Sequence, residues 1–378
     1  MSRTPLNAFC ALTMGQSPDS ESYNIEHNGF PFYQGNADFG RIHPMVRVWC
    51  SAPKKLAKAG DILISVRAPI GALNIADCDC CIGRGLAAIT PDATCVDTMF
   101  LFYALYASAA ELQRRGTGST FKAISKNALS NLLLPSYCLE EQKEISAVLQ
   151  QVDHLISLRQ RQAEKLDELV KARFVEMFGD PVRNTKHWEK ASLLALGSYK
   201  NGMSFHANES GIKLRCLGVG DFKNLSYIDD VEQLPFVSLA EKPSANCFLH
   251  DGDIVFVRSN GNKALVGRCL LVYPRDTPTI YSGFCIRYRL LTEKVDPIYA
   301  LHVLKADGIR QKMSGRGANI QNLNQKILAA IEMPIPPLPL QNAFATFVHE
   351  VDREKERIQR SAALLETLKR SLMQQYFG

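Results

Sequence analysis

The fold of this chain is decided by a stretch of sequence that occurs twice. Residues 116–179 read GTGSTFKAISKNALSNLLLPSYCLEEQKEISAVLQQVDHLISLRQRQAEKLDELVKARFVEMFG, and residues 315–378 align with them at a constant offset of 199 without a gap. Identical residues run through the alignment: Gly116 and Gly315, Leu129 and Leu328, Pro135 and Pro334, Gln142 and Gln341, Val152 and Val351, and Phe178 and Phe377. An ungapped match of this length indicates a tandem duplication.

The second part of each copy predicts a long helix. Residues 139–177 contain no proline or glycine and are rich in Glu, Gln, Lys, Leu and Ala, which favour helices. Gly179 and Gly378 follow the two segments at the position of a C-terminal cap. Each helix of about 40 residues would be ~60 Å long at a rise of 1.5 Å per residue.

Apolar residues in these segments are spaced as in a coiled coil. The second segment repeats them at intervals of seven, at Phe344, Val351, Ile358, Leu365 and Leu372, and Phe347 and Leu368 lie three residues after members of that row. The first segment has a broader apolar face, with one row at Ile145, Val152, Arg159, Leu166 and Arg173 and another at Leu149, Ile156, Ala163, Val170 and Met177. We expect the two helices to pack antiparallel against each other. The alternative is that each is a solvated, charged helix.

The segments before the helices have a different character. They contain short β-rich runs interrupted by Gly, Pro, Asn and Asp. Residues 60–67 (GDILISVR) and 252–258 (GDIVFVR) predict matching strands after a turn, and beyond them the two segments diverge. The predicted organisation has four parts, namely a globule at 1–137, a long helix at 138–180, a second globule at 181–337 and a second long helix at 338–378.

Length and composition limit the class of protein. With 378 residues, 46% apolar and 22% charged, the chain is globular and too long for one ordinary domain. No apolar run reaches the ~18–20 residues of a membrane span, and the first residues lack a signal-peptide pattern. We therefore expect a cytoplasmic protein. Its eleven cysteines are dispersed, which predicts reduced and mostly buried thiols. A metal site at Cys78, Cys80 and Cys81 is the lesser alternative.

The net charge of +6 is unevenly distributed. The two globules carry +8 between them and the two helical segments −2. Because phosphate contacts need clustered Lys and Arg, any nucleic acid should bind the globules and not the helices. Ordinary surface charge is the competing explanation.

Motifs of catalysis are missing from the sequence. We find no Asn- or Asp-Pro-Pro-aromatic tetrad, no phosphate-binding loop with Gly-Lys-Ser/Thr and no nucleophile elbow. Glu141-Gln-Lys143 resembles part of a nuclease site, but its repeat partner is Leu340-Gln-Asn342. We expect a binding protein with no catalytic residues, and a methyltransferase or nuclease in its own right is the weakest reading.

Several motifs resemble the specificity (S) subunit of type I restriction-modification systems, and the resemblance covers essentially the whole chain. Its most specific part runs from Gly116 through Lys126 and Leu134-Pro135 to the helix start at Glu140-Glu-Gln142. Residues 333–341 (MPIPPLPLQ) are similar to the family's entry into its second conserved helix. Four motifs of the first globule resemble one class of target recognition domain: Met14-Gly-Gln-Ser-Pro18, Phe32-Tyr-Gln-Gly-Asn36, Ser65-Val-Arg-Ala-Pro69 and Ile82-Gly-Arg-Gly-Leu86.

The resemblance implies an α+β fold in which two α/β target recognition domains are separated by two long antiparallel coiled-coil helices, with an internal pseudo-twofold repeat. Each domain would read one half of a bipartite double-stranded DNA target, and the helices would fix the gap between the halves. Two methyltransferase (M) subunits would dock and methylate adenine N6 with S-adenosylmethionine. Restriction (R) subunits using ATP and Mg could join, and this chain would bind no cofactor, no metal and no membrane.

Direct readout of bases needs polar side chains on rigid loops. The DNA-binding candidates of the first globule are Gln34, Asn36, Arg67, Arg84, Thr117, Gly118, Ser119, Thr120 and Lys122. Those of the second are Arg258, Asn260, Asn262, Lys263, Arg287, Arg316, Asn319 and Gln321. Because the globules differ while the helices match, we expect the two half-sites to differ. The rival interpretation is a helical adaptor whose globules bind proteins.

Overall fold

A computed structural model of the chain describes residues 2–117, 122–205, 210–222, 226–314 and 322–378. Its internal contacts divide it into two compact units. The first unit consists of Met1–Arg161 together with Gln359–Gly378, and the second consists of Gln162–Ile358. Each unit therefore contains one globule and a part of each long helix.

The first globule consists of short strands and short helices. Its strands are Arg3–Pro5 (β1), Cys10–Met14 (β2), Tyr23–Asn24 (β3), Phe30–Tyr33 (β4), Val48–Cys50 (β5), Leu56–Ala57 (β6), Ile62–Ser65 (β7), Leu73–Ile75 (β8), Cys80–Ile82 (β9), Leu86–Pro91 (β10) and Leu133–Pro135 (β11). Its helices are Thr98–Ala107 (α1), Ala109–Arg115 (α2) and Lys126–Ser130 (α3), and the long helix Leu139–Phe178 (α4) follows. The strands form a central sheet in the order β2-β10-β7-β8, an outer sheet β3-β5-β4-β9-β6 and the pair β1-β11.

The second globule has elements of the same kinds. Its strands are Lys190–Ser192 (β12), Gly197–Asn201 (β13), Ile212–Leu217 (β14), Tyr227–Ile228 (β15), Phe236–Leu239 (β16), Asp253–Val257 (β17), Cys269–Val272 (β18), Thr279–Tyr281 (β19), Cys285–Leu290 (β20) and Glu332–Pro334 (β21). Its helices are Leu193–Leu196 (α5), Pro297–Lys305 (α6), Asp307–Ser314 (α7) and Gln325–Ala329 (α8), followed by the long helix Leu338–Phe377 (α9). The sheets are β13-β20-β17-β18-β15, β16-β14-β19 and the pair β12-β21.

Four strands of the central sheet have the same order in both globules although the sequences diverge. Strands β2, β10, β7 and β8 pair antiparallel in the same order as β13, β20, β17 and β18. Each outer sheet contains one parallel pair, β4 with β9 and β14 with β19. Gly60 and Gly252 precede the matching strands β7 and β17 with φ of 89° and 80°, a conformation that glycine adopts without strain. The predicted match of these strands is confirmed, and the structure extends the repeat to four strands of the central sheet and to a parallel pair of the outer sheet, whereas the strand β15, which pairs parallel with β18, is an addition of the second globule within the described residues.

Both long helices are confirmed, and both contribute to the core of each unit. In the first unit, Leu149 of α4 and Phe377 of α9 lie in one buried cluster, and Phe377 packs on Phe100 with ring centroids 5.3 Å apart. In the second unit, Phe174 and Phe344 share a cluster with ring centroids 5.5 Å apart. The globules are therefore packed onto the helices by apolar contacts. No helix in the described residues is long and apolar enough to cross a lipid bilayer.

Within each unit the segments of α4 and α9 are antiparallel, as predicted. Two contacts in each unit give the direction. In the first unit the Tyr137 hydroxyl bonds to the Tyr376 carbonyl oxygen (3.0 Å), and Asp153 pairs with Lys369 (2.6 Å). In the second unit Asp167 pairs with Lys355 (2.5 Å), and the rings of Phe178 and Phe344 lie 5.4 Å apart between centroids. In each unit, residue numbers rise along α4 as they fall along α9.

The predicted seam of α9 is correct over most of its length. Phe344, Val351 and Ile358 are buried. Leu368 is 46% exposed, so its predicted place in the seam is wrong. The reason is visible one residue later, where the ammonium group of Lys369 reaches Asp153 of α4. Successive residues of a helix point about 100° apart, so Leu368 is turned away from α4.

A buried glutamine at the start of each long helix binds the main chain of its globule. The side chain of Gln142 accepts a hydrogen bond from the Asp97 amide (2.9 Å) and donates to the carbonyl oxygens of Cys95 (3.1 Å) and Tyr137 (2.9 Å). In the second unit, Gln341 makes the same three kinds of bond, with Asp296 (2.9 Å), Lys294 (3.0 Å) and Pro336 (2.7 Å). Both glutamines are almost fully buried, at 1% and 0% exposure.

We expect Gln142→Ala to lower the free energy of unfolding of the first unit by about 2–4 kcal/mol, because buried main-chain groups lose their partners. Each unit contains one tryptophan, Trp49 or Trp188, so urea unfolding of single-tryptophan variants follows each unit separately. Gln150→Ala, at an exposed position of the same helix, is the control and should change stability by less than about 0.5 kcal/mol. Equal effects of the two substitutions would contradict this role of Gln142.

The aspartates Asp153 and Asp352 are also repeat partners, but their hydrogen-bond partners differ. Asp153 accepts hydrogen bonds from the Tyr103 hydroxyl (2.8 Å) and from Lys369 (2.6 Å). Its counterpart Asp352 has a buried Oδ2 atom without a hydrogen-bond partner in the described part of the chain, and burial raises the pKa of this carboxyl. His302 stands in the position of Tyr103, and burial lowers the pKa of its ring to about 3. The repeat therefore preserves the buried glutamine at the start of each helix but not the polar contacts of this aspartate.

Candidate nucleic-acid interface

Four turns of the first globule meet at one edge of its central sheet. They contain the four motifs Met14–Pro18, Phe32–Asn36, Ser65–Pro69 and Ile82–Leu86. Three main-chain hydrogen bonds join them: Gln16 N–H to Ile82 O (3.0 Å), Gly83 N–H to Tyr33 O (2.8 Å) and Val66 N–H to Gly85 O (2.9 Å). Motifs separated by up to about 70 residues in the sequence thus form one surface, which we call the first edge.

Glycines allow these turns to approach so closely. A Cβ atom on Gly15 would lie 2.2 Å from the carbonyl oxygen of Gly83, and one on Gly85 would lie 2.4 Å from the carbonyl oxygen of Gln34. Real side chains do not tolerate such distances to main-chain atoms. Close packing of the turns therefore explains Gly15 and Gly85, whereas a Cβ atom on Gly35 would meet no atom within 4 Å.

The polar side chains of the first edge are held in place by their neighbours. The side-chain NH₂ group of Gln34 donates to the Ser17 hydroxyl (3.1 Å), and its main-chain amide donates to the carboxylate of Asp38 (2.8 Å). Asn36 is half-buried and begins a short 3₁₀ helix. The Arg84 amide also approaches the Ser17 hydroxyl, at 3.4 Å. Gln34 is thereby presented from an ordered turn, as direct readout requires.

The first edge also presents exposed cations. Arg67 and Arg84 are exposed, and neither guanidinium has a hydrogen bond or ion pair within the described residues. Arg67 forms a β-bridge with Ala123, which also pairs with Thr117, so this neighbouring segment continues the same surface. Lys122 and Thr117 are exposed there. Of the candidates in the first globule, Gln34, Asn36, Arg67, Arg84, Thr117 and Lys122 are thus brought together.

Six candidates lie outside the described residues: Gly118, Ser119, Thr120, Arg316, Asn319 and Gln321. Their predicted DNA contacts remain predictions.

The second globule has a corresponding edge, which we call the second edge. The amide of Met203 donates to the Tyr281 carbonyl (3.0 Å), that of Gly283 to Met203 (2.6 Å) and that of Arg258 to Phe284 (2.8 Å). Arg258 occupies the position of Val66 and not that of Arg67; it is half-buried, and its guanidinium donates to the carbonyl oxygen of Gly283 (3.4 Å). Arg67 protrudes, whereas Arg258 supports its own turn.

A polar turn follows Arg258. The amide of Asn262 donates to Oδ1 of Asn260 (2.8 Å), and the amide of Ala264 donates to Oδ1 of Asn262 (3.0 Å). Each side-chain oxygen accepts one bond within the turn, which orients the amide group and leaves its NH₂ donors available to a base. Asn262 and Lys263 are exposed and Asn260 is half-buried.

The prediction that Arg287 lies on a surface loop is wrong. Arg287 lies within strand β20, is 5% exposed, and its Nε and Nη1 atoms have no hydrogen-bond partner in the described residues. Side chains alternate along a strand, and the register of β20 turns Arg287 to the inner face together with Arg289, which pairs with Asp253 (2.7 Å). From this position Arg287 cannot reach DNA.

Sequence reasoning missed two polar residues of the second edge. Asn201 ends strand β13, and Gln325 begins helix α8. The Gln325 amide group donates to Oδ1 of Asn201 (3.2 Å), and both residues are exposed. A signal for Gln325 exists in the repeat, where its partner is Lys126, next to the candidates of the first globule.

The cysteines are poorly suited to nucleophilic chemistry. All eleven are unpaired, and six are buried. Burial raises the pKa of Cys216 and of Cys285 to about 12, so both thiols stay protonated near neutral pH. Among the described residues, no group of three or more His, Cys, Asp or Glu is arranged to hold a metal ion.

Comparison with known proteins gives a consistent result. The family model described as "Type I restriction modification DNA specificity domain" matches twice, at residues 6–168 and 186–366. The MjaX type I restriction enzyme specificity subunit of Methanocaldococcus jannaschii is 44% identical over 163 residues, which cover 43% of this chain and 38% of that protein. The MjaVIII specificity subunit of the same organism is 26% identical over 294 residues, which cover 70% of this chain and 68% of that protein.

One solved structure is similar over the whole chain. The crystal structure of the type I restriction-modification system S subunit from M. genitalium matches with a TM-score of 0.59 at 16% identity, over 100% of this chain and 96% of that one. At this identity the similarity concerns the fold alone. It agrees with the predicted α+β fold with long helices.

Proposed function

The chain belongs to the type I restriction-modification DNA specificity domain family, and we propose that it is the DNA-recognition subunit of such a system. Each globule reads one half of a bipartite, asymmetric target in double-stranded DNA. The match to the MjaX subunit spans only 38% of that protein, so the proposal rests on the interface as much as on that relative.

The observation that carries the proposal is the convergence of four turns at the first edge. It combines an ordered glutamine, Gln34, with two guanidinium groups that have no partner in the described residues, Arg67 and Arg84. Arginine and glutamine are the side chains that bind guanine and adenine edges in pairs of hydrogen bonds, and arginine also binds phosphate. The second edge has the same main-chain frame with different side chains, which favours a different half-site.

We place the chemistry on partner subunits. Methylation of adenine N6 requires the base to leave the stack and enter a pocket on another protein. The chain would dock two methyltransferase subunits that bind S-adenosylmethionine, and restriction subunits with ATP and Mg could join them. The absence of catalytic motifs and the high pKa of the buried thiols support a non-catalytic role for this chain.

The alternative is a helical adaptor whose globules bind proteins. A DNA-binding titration of the purified chain with its methyltransferase subunit, repeated at several salt concentrations, distinguishes a DNA-recognition subunit from an adaptor. A DNA-recognition subunit should lose affinity steeply as salt rises, with a slope of about −0.9 per phosphate contact. An adaptor would show no shift of specific DNA at any salt concentration.

Removal of the two cations of the first edge gives a sharper prediction. We expect the double variant Arg67→Ala and Arg84→Ala to weaken binding of the target duplex by roughly 30-fold or more, because each of the two charge-assisted contacts contributes about 1–3 kcal/mol. Lys54→Ala is the matched control, since Lys54 lies on the same globule and pairs with Asp19 (2.8 Å). Equal binding by the double variant and the control would remove the first edge from the interface.

A further inference from the structure

The side chain of Phe284 occupies a distinctive position at the second edge. In the first unit, the Val66 amide donates to the Gly85 carbonyl (2.9 Å), and the Ile124 amide donates to the Val66 carbonyl (2.9 Å). In the second unit, the corresponding bonds run from Arg258 to Phe284 (2.8 Å) and from Leu323 to Arg258 (2.8 Å). These bonds place Phe284 at the position of Gly85. Phe284 is 62% exposed.

The first edge has no room for a side chain at this position. A Cβ atom on Gly85 would lie 2.4 Å from the carbonyl oxygen of Gln34. The segment that contains Gln34 runs from Tyr33, which accepts the Gly83 amide, to Phe39 after a 3₁₀ helix.

The matching segment of the second unit is one residue shorter. It runs from Leu217, which accepts the Ser282 amide (2.9 Å), to Phe222 after the equivalent 3₁₀ helix. The shorter turn leaves space for the ring of Phe284.

The neighbouring position shows the opposite exchange. Arg84 of the first edge corresponds to Gly283, where a Cβ atom would lie 2.8 Å from the Ser204 hydroxyl oxygen and 3.2 Å from the Met203 carbonyl oxygen. A side chain at Gly283 would require the Ser204 hydroxyl to move, and the residue present there is glycine, whereas an aromatic ring is presented one residue later. The first edge therefore presents the exposed side chain of Arg84, and the second edge presents the exposed ring of Phe284 one residue further on, beside the half-buried Arg258 guanidinium that donates to the Gly283 carbonyl oxygen (3.4 Å).

Of the four bases, only thymine presents an apolar group in the major groove, its 5-methyl group, and apolar side chains such as phenylalanine contact it. We propose that Phe284 determines specificity in the second half-site by packing on the methyl group of a thymine. This inference rests on the proposed function. The main chain of Phe284 is held by hydrogen bonds with Arg258 and Ser259, so the ring is presented from a fixed position.

The test first requires the target, obtained by sequencing methylated adenines in DNA from cells that express the chain with its methyltransferase subunit. Duplexes are then made in which each thymine of the second half-site is replaced, one at a time, by deoxyuridine, which lacks only the methyl group. At one thymine the wild-type complex should lose about fourfold in affinity, as for one buried methyl-sized group. The Phe284→Ala complex should bind the unmodified target about tenfold more weakly and respond to that deoxyuridine by less than about twofold.

Leu291→Ala is the matched control. Leu291 follows the other end of the same strand and is 70% exposed, and its variant should keep the wild-type response to deoxyuridine. The inference is overturned if Phe284→Ala keeps the fourfold deoxyuridine penalty, or if no deoxyuridine in the second half-site changes wild-type binding. Failure of the wild-type complex to prefer its target over scrambled DNA would overturn the proposed function and this inference together.

Discussion

Replacement of residues 1–137 by the corresponding domain of another specificity chain is expected to change one half of the methylated target and leave the other half as it was. The replaced segment contains the first edge, whereas the second edge lies wholly in the second unit. Under the proposed function each globule reads one half-site, so exchanging a globule should exchange the base preferences of that half-site only. We expect the new half-site to be preferred over the old one by about 10³-fold or more, since each mismatched base pair costs ~1–3 kcal/mol.

The measurement is sequencing of methylated adenines in cells that carry the exchanged chain with the unchanged methyltransferase subunit. The junction should follow residue 137, because Gln142 and the rest of α4 then remain native. The reciprocal exchange of residues 181–337 is the control and should alter only the other half-site. A change in both half-sites from either exchange would contradict independent reading by the two globules.

Insertion of one helical turn into both long helices is expected to lengthen the unread gap of the target without changing either half-site. The insertions belong between Arg161 and Gln162 and between Ile358 and Gln359, where the compact units divide. At these places the antiparallel partners within each unit keep their register. Four residues add ~6 Å to a helix, which corresponds to about two base pairs of DNA.

The original target should then be bound roughly 100-fold or more weakly, because one of its half-sites can no longer be engaged. Gel-shift titration on duplexes with gaps of different lengths measures the effect. Insertion into α4 alone is the control, and it should weaken binding at every gap because the packing against α9 is displaced. An unchanged gap preference in the double insertion would show that the helices do not set the gap.

The sequence predicted those features that depend on local residue preferences or on periodic spacing. The heptad spacing of Phe344, Val351 and Ile358 predicted a buried seam, and the run without Pro or Gly predicted both helices to within a few residues. The error at Leu368 arose because a coiled-coil pattern assumes one continuous partner face. The ion pair between Lys369 and Asp153 instead sets the local rotation.

The site was predictable only in part, because it is assembled by contacts distant in sequence. The motifs around Gln34 and Arg84 were found by resemblance, but their convergence depends on main-chain bonds that no spacing rule gives. The error at Arg287 has a simple cause, since a charge by itself favours a loop position, although Arg287 alternates with Ile286 and Tyr288 as residues of a strand do. Phe284 is absent from the predicted DNA-binding residues because those were chosen for polar side chains that hydrogen-bond to bases.

The buried glutamines at the starts of the long helices have a consequence for how such chains diversify. Gln142 and Gln341 bind only amide and carbonyl groups of the globules, and never their side chains. Main-chain groups are common to all amino acids, so this attachment is indifferent to the identity of residues such as Cys95 or Lys294. The globule residues that the glutamines bind can therefore change without loss of these bonds, whereas side chains that pack on the helices, such as Phe100 against Phe377, remain constrained. The attachment of each long helix at these positions is thus independent of the side chains that the globule carries there.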